Sequence, residues 1–301
     1  MIRDLVTRWG TAAKGIGDDA AVLDVPQGSR LVASTDATVE NVHFRREWLS
    51  PSDVGYRAAT AALSDLAAMA ATPIAMLVAM CIPESWRASV GEIAEGIGEA
   101  SRAFNAPITG GNLTSGTELA LTVTVLGHSP HPLRRDSVSV GDMLYVTGTL
   151  GGPRCAIAAW ERGGQPQPEH RARFVRPTAR IAEARWLAEH GAVAAIDVSD
   201  GLISDLRHLA AASGVDVCVE LDAIPAMSGA AVQDAARSGE EYEVVVAAHA
   251  PIDEHAFAAA FGAPLTRIGV ATVPLYNAPD VRLRSHGKFV DLPRGHDHFS
   301  R

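Results

Sequence analysis

Residues 194–201 read Ala-Ala-Ile-Asp-Val-Ser-Asp-Gly, and similar acidic turns recur along the chain. An apolar strand ends on Asp197, and Asp200 and a glycine follow before a helical pattern begins near residue 202. Carboxylates at strand ends are used to hold hard cations, which then hold phosphates. They are also used as helix N-caps and turn formers. The stretch therefore poses a choice between a cation site and a cap.

Capping explains only one of the two aspartates. Ser199 or Asp200 can accept hydrogen bonds from the first-turn N–H groups, and the helix dipole favours an acid there. Asp197, at the end of an apolar strand, has no such use. Two like charges about 4 Å apart repel by roughly 4 kcal/mol at an effective dielectric of 20, and a cation would relieve that repulsion. The turn therefore favours function over pure capping.

Further acids have the same character, each with an ordinary alternative. Asp19 lies in a Gly-Asp-Asp turn before a strand, which is a common turn sequence. Ser34, Thr35 and Asp36 place three oxygen-bearing side chains at the end of a strand, either as a shelf for a cation or as a turn. Asp65 lies in an alanine-rich helix, where a buried carboxylate needs a partner and a solvent-facing one does not.

Composition limits the classes of function. The chain has 301 residues, is 47% hydrophobic and carries a formal charge of −9. Its length favours two domains, and its acidity argues against a nucleic-acid-binding surface. Lys14 and Lys288 are the only lysines, and neither belongs to a P-loop or a protein-kinase motif. Any phosphate chemistry must therefore use metals, arginine and backbone N–H groups.

Cysteine usage and the lack of targeting signals favour a cytoplasmic protein. Cys81, Cys155 and Cys218 are far apart in apolar segments, which predicts buried free thiols in a reducing compartment. The N-terminus shows no secretory pattern. The longest strongly apolar run, residues 74–82, is too short to span a bilayer.

The chain is predicted to divide at residues 128–141, which carry two prolines and no periodicity. This boundary gives an N-terminal domain over 1–130 and a C-terminal domain over 131–301. The first is an α/β unit with predicted elements at 30–36, 53–71, 74–82, 88–104 and 118–126. The second has a predicted loop at 161–171 and elements at 143–148, 151–160, 178–190, 193–197, 202–212, 216–221, 243–248 and 266–273.

The remaining candidates are weak on their own. Residues 109–112, Thr-Gly-Gly-Asn, are predicted to form a loop whose N–H groups could meet a phosphate. Arg135 is either a phosphate clamp or a surface charge. His43 and the histidines at 296 and 298 are typical of structural or surface positions. Three acids crowd the start of a strand, and at least one is expected at a solvated strand edge: Glu240, Glu241 and Glu243.

The order of the motifs carries more information than any one of them. Together they closely resemble the thiamine-monophosphate kinase family, within the aminoimidazole-ribonucleotide-synthetase-like superfamily. The resemblance covers essentially the whole chain. It rests on Gly-Ile-Gly-Asp-Asp-Ala at 15–20, Ser-Thr-Asp at 34–36, His-Phe at 43–44, Ser-Asp-Leu-Ala-Ala-Met at 64–69, Gly-Gly-Asn at 110–112, Asp-Val-Ser-Asp-Gly-Leu-Ile-Ser-Asp-Leu at 197–206, Ser-Gly-Glu-Glu-Tyr-Glu at 238–243 and Asp-His-Phe at 297–299.

The resemblance implies an α/β (α+β) two-domain fold. In it the N-terminal sheet domain binds ATP and Mg²⁺ and forms a homodimer, and the C-terminal α/β domain completes the active-site cleft. The implied reaction is ATP- and Mg²⁺-dependent phosphorylation of thiamine monophosphate to thiamine diphosphate. The implied ligands of several Mg²⁺ ions are Asp19, Ser34, Thr35, Asp36, Asp65, Asn112, Asp197 and Asp200. The implied contacts to ATP are Gly111, Asn112, Arg135 and Ser199. The implied contacts to thiamine monophosphate are His43, Glu240 and His296.

Three positions depart from the family pattern. Asn112 replaces the aspartate of its Gly-Gly-Asp motif, so one negative charge is lost. Glu241 replaces the aspartate of Gly-Glu-Asp-Tyr-Glu, which lengthens that acid. His296 replaces the usual aromatic residue before Asp-His-Phe, and imidazole is a smaller platform for a thiamine ring. These changes bear on affinity more than on reaction type.

An acceptor that is itself a phosphate is largely ionised at neutral pH, since its second pKa is about 6. The chemistry therefore needs charge neutralisation and in-line alignment rather than a general base or a phosphoenzyme. Selenophosphate synthetase and hydrogenase maturation factor are disfavoured, because the N-terminal region and the C-terminus lack the cysteines that those proteins use. A non-catalytic nucleotide-binding protein, with activity lost through Asn112, is the alternative of a different class.

Overall fold

The computed structural model describes residues 2–14, 16, 20–276 and 278–291. The chain forms two compact units. Unit 1 consists of Met1–Leu66, Ala71–Pro132 and Val175–Ile181, and unit 2 consists of Ala67–Ala70, Leu133–Phe174 and Ala182–Arg301. None of the helices in the described part of the chain has the length and apolarity that crossing a bilayer requires.

Unit 1 is built on a four-stranded sheet. Its elements, in chain order, are α1 (Ile2–Trp9), β1 (Arg30–Val39), α2 (Pro51–Ala68), β2 (Thr72–Ile82), α3 (Val90–Ala103), β3 (Ile108–Ser115) and β4 (Ala120–Ser129). The strand order is β1-β4-β2-β3, with β2 parallel to β3 and antiparallel to β4. The two edge strands, β1 and β3, therefore lie three strand spacings apart.

One face of this sheet is buried. The other, which we call the open face, carries half-buried and exposed residues. Along β4, buried residues such as Val123 and Val125 alternate with half-buried Thr122 and Thr124, as the polar–apolar alternation predicts. Strand β2 alternates in a similar way, so the apolar run 74–82, which is typical of a buried strand, is buried on one face and half-buried on the other. The open face also carries Leu31, which is 54% exposed.

Helices α2 and α3 pack closely because glycines lie at their contact. A Cβ added to Gly55 would collide with the carbonyl of Ile93, and one added to Gly96 would collide with the carbonyl of Ser52. Each helix therefore presents a glycine to the backbone of the other. This approach is closer than any side chain would permit.

Unit 2 is built on a seven-stranded sheet. Its elements are β5 (Met143–Thr147), α4 (Gly152–Glu161), α5 (Pro168–Val175), α6 (Ile181–Glu189), β6 (Ala192–Asp197), α7 (Leu202–Ser213), β7 (Asp216–Glu220), α8 (Val232–Ala235), β8 (Val244–Ala248), α9 (Glu254–Phe261), β9 (Leu265–Thr272), β10 (Val281–Ser285) and β11 (Lys288–Val290). The strand order is β11-β10-β7-β9-β5-β8-β6. Every residue of β8 is buried, so this strand is covered on both faces.

The architecture is the mixed α/β fold in two parts that the sequence predicts, with three local differences. Residues 110–112 are not in a loop but inside β3, because Gly111 lets its backbone approach Val78 of β2 at a point where any Cβ would collide. Helix α5 begins at Pro168 within the predicted loop 161–171, and proline is well tolerated at a first helical position. Helix α1 and strands β10 and β11 were not anticipated.

The cysteine prediction is correct in one part and wrong in another. Cys81, Cys155 and Cys218 are free thiols. Only Cys218 is buried, whereas Cys81 and Cys155 are half-buried. Cys81 lies on β2, whose alternate residues face the open side of the sheet, and the apolarity of its segment did not reveal that side.

Candidate functional site

The acidic turn, which we define as residues 197–201, connects β6 to α7 in unit 2. Asp197 is the last residue of β6 and is buried, while Ser199 and Asp200 are half-buried. Gly201 takes the N-cap position of α7 with φ 111°, a backbone conformation that favours glycine. Because Gly201 is the N-cap residue, neither Ser199 nor Asp200 occupies that position.

Asp205 holds this turn in place, and sequence reasoning did not single it out. Its Oδ2 atom accepts hydrogen bonds from the backbone N–H groups of Ser199, at 3.1 Å, and Asp200, at 3.2 Å. Burial, followed by the charges of Asp197 and Asp200, raises the pKa of the Asp205 carboxyl well above its usual range. Asp205 thus fixes the backbone of the turn from the first turn of α7, while the nearby charges of Asp197 and Asp200 disfavour its ionised form. The sequence feature that could have identified Asp205 is its place in the first turn of α7, directly after the acidic turn.

A second segment, the 238–243 loop, lies against the acidic turn. The N–H of Glu240 donates to the carbonyl of Ser199 at 2.7 Å, and the N–H of Tyr242 donates to that of Val198 at 2.9 Å. In return, the N–H of Val198 donates to the carbonyl of Glu243 at 2.8 Å. The two segments therefore form one backbone-bonded unit, and a displacement of the loop would displace the turn.

Glu240 projects from this loop in a specific conformation. Its φ is 62° and that of Tyr242 is 55°, so two residues with side chains take the left-handed region within three positions. The hydroxyl of Tyr242 donates to Oε2 of Glu240 at 2.5 Å. Backbone strain of this kind persists where the surroundings impose it, and it is common at functional sites.

Two of the three glutamates at the start of β8 are buried, and the third, Glu240, is the one that reaches solvent in part. Glu241 is 0% exposed and Glu243 is 1% exposed, while Glu240 is half-buried. Burial raises the pKa of Glu241 to about 7, against the lowering effect of Arg173. Sequence reasoning missed the burial of Glu241 and Glu243 because their partner, Arg173, lies 68 and 70 positions away, in helix α5.

In unit 1 a second group, the Asp65 group, consists of Ser34, Asp36 and Asp65. The hydroxyl of Ser34 donates to Oδ2 of Asp65 at 2.5 Å, which joins β1 to α2. Asp36 is two residues along β1, so its side chain shares a sheet face with that of Ser34. Oδ1 of Asp36 accepts from the N–H of Ala37 at 2.7 Å. Both carboxylates are half-buried, so Asp65 is the partnered rather than the solvent-facing acid.

Thr35 and His43 lie beside this group rather than in it. The side chain of Thr35 points to the opposite, open face of the sheet, where its hydroxyl lies 3.0 Å from that of Thr124. His43 follows the end of β1, and its Nδ1 accepts a hydrogen bond from the N–H of Val39 at 3.1 Å. An imidazole that accepts at Nδ1 carries its proton on Nε2.

Gly111 and Asn112 lie on the far edge of the same sheet. Gly111 is in register with Val78 of β2, which pairs through Val123 of β4 with Asp36 of β1. Three strand spacings, about 14 Å, therefore separate β3 from β1 along that row. Asn112 is exposed. Unit 1 does not bring Asn112 to the Asp65 group.

Arg135 is likewise apart from the acidic turn. It is exposed, in the 3₁₀ turn Arg135–Ser137, and its carbonyl accepts from the hydroxyl of Ser213 at 2.6 Å. Ser213 is the last residue of α7, and a helix of that length separates its two ends by about 17 Å. The backbone of Arg135 thus lies at the end of α7 remote from Ser199 and Asp200.

Two predicted residues, Asp19 and His296, lie outside the described residues. In the part of the chain that the structure describes, no three His, Cys, Asp or Glu side chains stand together in an arrangement that could hold a metal ion. The predicted ligands instead form an incomplete oxygen-rich group in each unit. Such groups suit a cation whose remaining ligands are water and substrate phosphates.

Two family models match the chain, one in each half. The N-terminal domain model of AIR synthase related proteins matches residues 17–129, and the corresponding C-terminal domain model matches residues 139–274. These two matches define the class of protein as AIR synthase related, with both domains present.

Individual relatives narrow the class. A thiamine-monophosphate kinase of Rhodopirellula baltica is 38% identical over 280 residues, covering 85% of this chain and 83% of the relative. The crystal structure of thiamine-monophosphate kinase from Stenotrophomonas maltophilia K279a matches with TM-score 0.83 and 31% identity, covering 95% of this chain and 97% of that one. The chain belongs to the thiamine-monophosphate kinase family.

A further solved structure is similar to this chain over almost its whole length. It is AaThiL complexed with AMPPCP and TMP, with TM-score 0.78 and 26% identity, covering 99% of this chain and 96% of that chain.

Proposed function

We propose that this chain transfers the γ-phosphoryl group of ATP to thiamine monophosphate, producing thiamine diphosphate and ADP. A phosphate oxygen of thiamine monophosphate bonds to the γ-phosphorus, and the bond to the bridging oxygen of ADP breaks. The observation that carries the proposal is full-length membership of a kinase family with its acidic motifs in place. The similar structure of AaThiL with AMPPCP and TMP supports both substrates.

The chain needs no nucleophilic side chain for this reaction. The acceptor phosphate is largely ionised at neutral pH, so it requires no general base. The difficulty is to hold two polyanions in line, which is a task of positioning and charge neutralisation. The backbone-bonded pair of the acidic turn and the 238–243 loop is suited to positioning, since it holds Ser199 and Glu240 together.

We propose Mg²⁺ as the cation that these acids serve. The donors fit it by type, because the side chains are carboxylates, hydroxyls and one amide, and Mg²⁺ prefers oxygen. Asp36, Asp65, Asp197 and Asp200 supply carboxylate oxygens of this kind in the two units. When bound, Mg²⁺ neutralises phosphate charge and polarises the phosphoryl group. The proposed ligands remain Asp19, Ser34, Thr35, Asp36, Asp65, Asn112, Asp197 and Asp200.

The proposed substrate contacts follow from the family motifs. Ser199, Gly111, Asn112 and Arg135 are proposed to bind ATP. The backbone of Arg135 lies at the end of α7 remote from Ser199, so Arg135 is proposed to meet a part of the nucleotide away from Ser199. His43, Glu240 and His296 are proposed to bind thiamine monophosphate. The contact from the N–H of Val39 to Nδ1 places the His43 proton on Nε2, where it can donate to an anionic oxygen.

We propose that the protein is a homodimer joined through the sheet of unit 1. The open face of that sheet supports a dimer, because its residues are only half-buried even on the central strands β2 and β4. Leu31, Leu77 and Leu126 make the face partly apolar. A sheet face of this kind is normally covered, and a second copy of the same face is the simplest cover.

Product formation tests the proposed reaction. The purified chain is incubated with ATP, Mg²⁺ and thiamine monophosphate, and thiamine diphosphate is measured by chromatography against a standard. We expect stoichiometric thiamine diphosphate and ADP. Binding of ATP by folded protein with no thiamine diphosphate, beside an active family member as control, would instead support a non-catalytic nucleotide-binding protein.

A further inference from the structure

Glu241 connects the 238–243 loop to the start of helix α4. Its carboxylate is fully buried, and Oε1 accepts a hydrogen bond from the N–H of Gly151 at 2.5 Å. Gly151 is the N-cap residue of α4 and offers no side chain to cap it. The buried Glu241 side chain therefore supplies the acceptor oxygen that the N-terminus of α4 requires.

Arg173 of α5 joins the same carboxylate to Glu243. Its Nη2 donates to Oε1 of Glu243 at 2.7 Å and to the carbonyl of Glu241 at 3.2 Å, and lies 3.4 Å from Oε2 of Glu241. The two acids thus share one guanidinium. A buried ion network of this kind fixes geometry strongly, because removing any member leaves a buried charge or polar group without its partner.

Strand β5 completes the network from a third direction. The hydroxyl of Thr147 donates to Oε2 of Glu243 at 2.6 Å and accepts from the N–H of Val244 at 2.9 Å. The next residue, Gly148, has φ 64°, and a Cβ there would collide with the Glu243 carboxylate. The end of β5 is therefore shaped to admit that carboxylate.

We propose that Arg173, Glu241 and Glu243 are positioning residues that set the placement of Glu240 and of the acidic turn. Glu241 anchors the 238–243 loop to α4 and α5. The loop in turn hydrogen-bonds through its backbone to Val198 and Ser199. The inference rests on the proposed function, since it assigns to this network the geometry of the proposed acceptor site.

The inference explains why acids lie on both sides of Glu240 in the motif 238–243. Glu240 is half-buried and its side chain is held by Tyr242, while the side chains of Glu241 and Glu243 are withdrawn from solvent. Only Glu240 is thus placed to meet a ligand. The buried acids act through the backbone that carries it.

The test compares two variants of one residue. Glu241→Met preserves length but cannot accept a hydrogen bond from Gly151, whereas Glu241→Gln preserves an acceptor oxygen. For each, kcat and both KM values are measured beside the melting temperature. We expect E241M to raise the KM for thiamine monophosphate about tenfold and the KM for ATP less, and we expect E241Q to stay within about threefold of the unaltered protein. The exposed Glu169 of α5 supplies a control, E169M, with unchanged kinetics.

Folded E241M with an unaltered KM for thiamine monophosphate would overturn the inference, as would equal kinetic loss in E241Q and E241M. If E241M does not fold, Thr147→Val carries the test, because it removes the hydroxyl that donates to Glu243 and accepts from Val244, and leaves the charged side chains of the network in place. An acceptor KM raised about threefold is then expected, and an unchanged one contradicts the inference. The unaltered protein separates the two proposals, since its inactivity would refute the proposed function itself.

Discussion

At the scale of single residues, Glu241 couples stability to pH. In the folded protein the Glu241 carboxyl keeps its proton to about pH 7, whereas an exposed glutamate releases its proton near the ordinary pKa of 4.5. The folded state therefore binds more protons in that interval, so the free energy of unfolding falls as pH rises through it. The loss attributable to Glu241 is roughly 3 kcal/mol above the interval.

Denaturant unfolding of the unaltered protein and E241Q isolates this effect, since glutamine does not titrate. We expect the stability of the unaltered protein relative to E241Q to decline between about pH 5 and about pH 8. Two stability curves that run parallel over that range would contradict the raised pKa of Glu241.

The sequence identified a candidate residue only where its neighbours in the chain formed a recognisable pattern. Asp197 and Asp36 stood out because apolar or small residues lead into them, and Asp65 because it interrupts an alanine-rich helix. Asp205 is hidden in an ordinary helical pattern, and its contact to the turn appears only in three dimensions. The burial of Glu241 depends on Arg173, far away in sequence, so local pattern suggested a solvated edge instead.

At the scale of elements, periodicity located most strands and helices because each buries one face. Strand β4 alternates burial residue by residue, which is the pattern that the sequence shows. The failures have separate causes. The glycines of β3 suggested a loop but instead allow close pairing with β2, and Pro168 suggested a loop but begins α5.

The glycine contact between α2 and α3 gives an element-scale prediction. Gly96→Ala would drive a methyl group into the carbonyl of Ser52, and neither backbone can yield easily. We expect the free energy of unfolding to fall by about 3 kcal/mol, at the upper end for overpacking.

A glycine elsewhere on α3 provides the matched control. A Cβ at Gly91 would meet the flexible guanidinium of Arg8 rather than backbone. Gly91→Ala should therefore change stability by less than about 1 kcal/mol, or increase it through helix propensity. Equal effects of G91A and G96A in denaturant titrations would show that the helix contact is not the limiting feature.

At the scale of the whole molecule, the open sheet face of unit 1 makes self-association testable. Leu31→Glu places a charge on that face, and Val140→Glu places one on unit 2 at a residue with the same exposure, 54%. Light scattering after size exclusion should give twice the chain mass for the unaltered protein and V140E. We expect the L31E dimer to dissociate at protein concentrations at least tenfold higher than those at which the unaltered dimer dissociates. Equal masses for L31E and V140E at every concentration would contradict the proposed dimer face.

The proposed reaction is a direct phosphoryl transfer, and we propose that it requires both Asp65 and Asp197. The most direct measurement follows label from γ-³²P-ATP into thiamine diphosphate, using the unaltered protein and the variants Asp65→Ala and Asp197→Ala, with folding checked by circular dichroism. We expect labelled thiamine diphosphate from the unaltered protein, no labelled protein at any time, and a loss of at least a thousandfold in each folded variant. Near-normal transfer in either variant, or label retained on the protein, would contradict it.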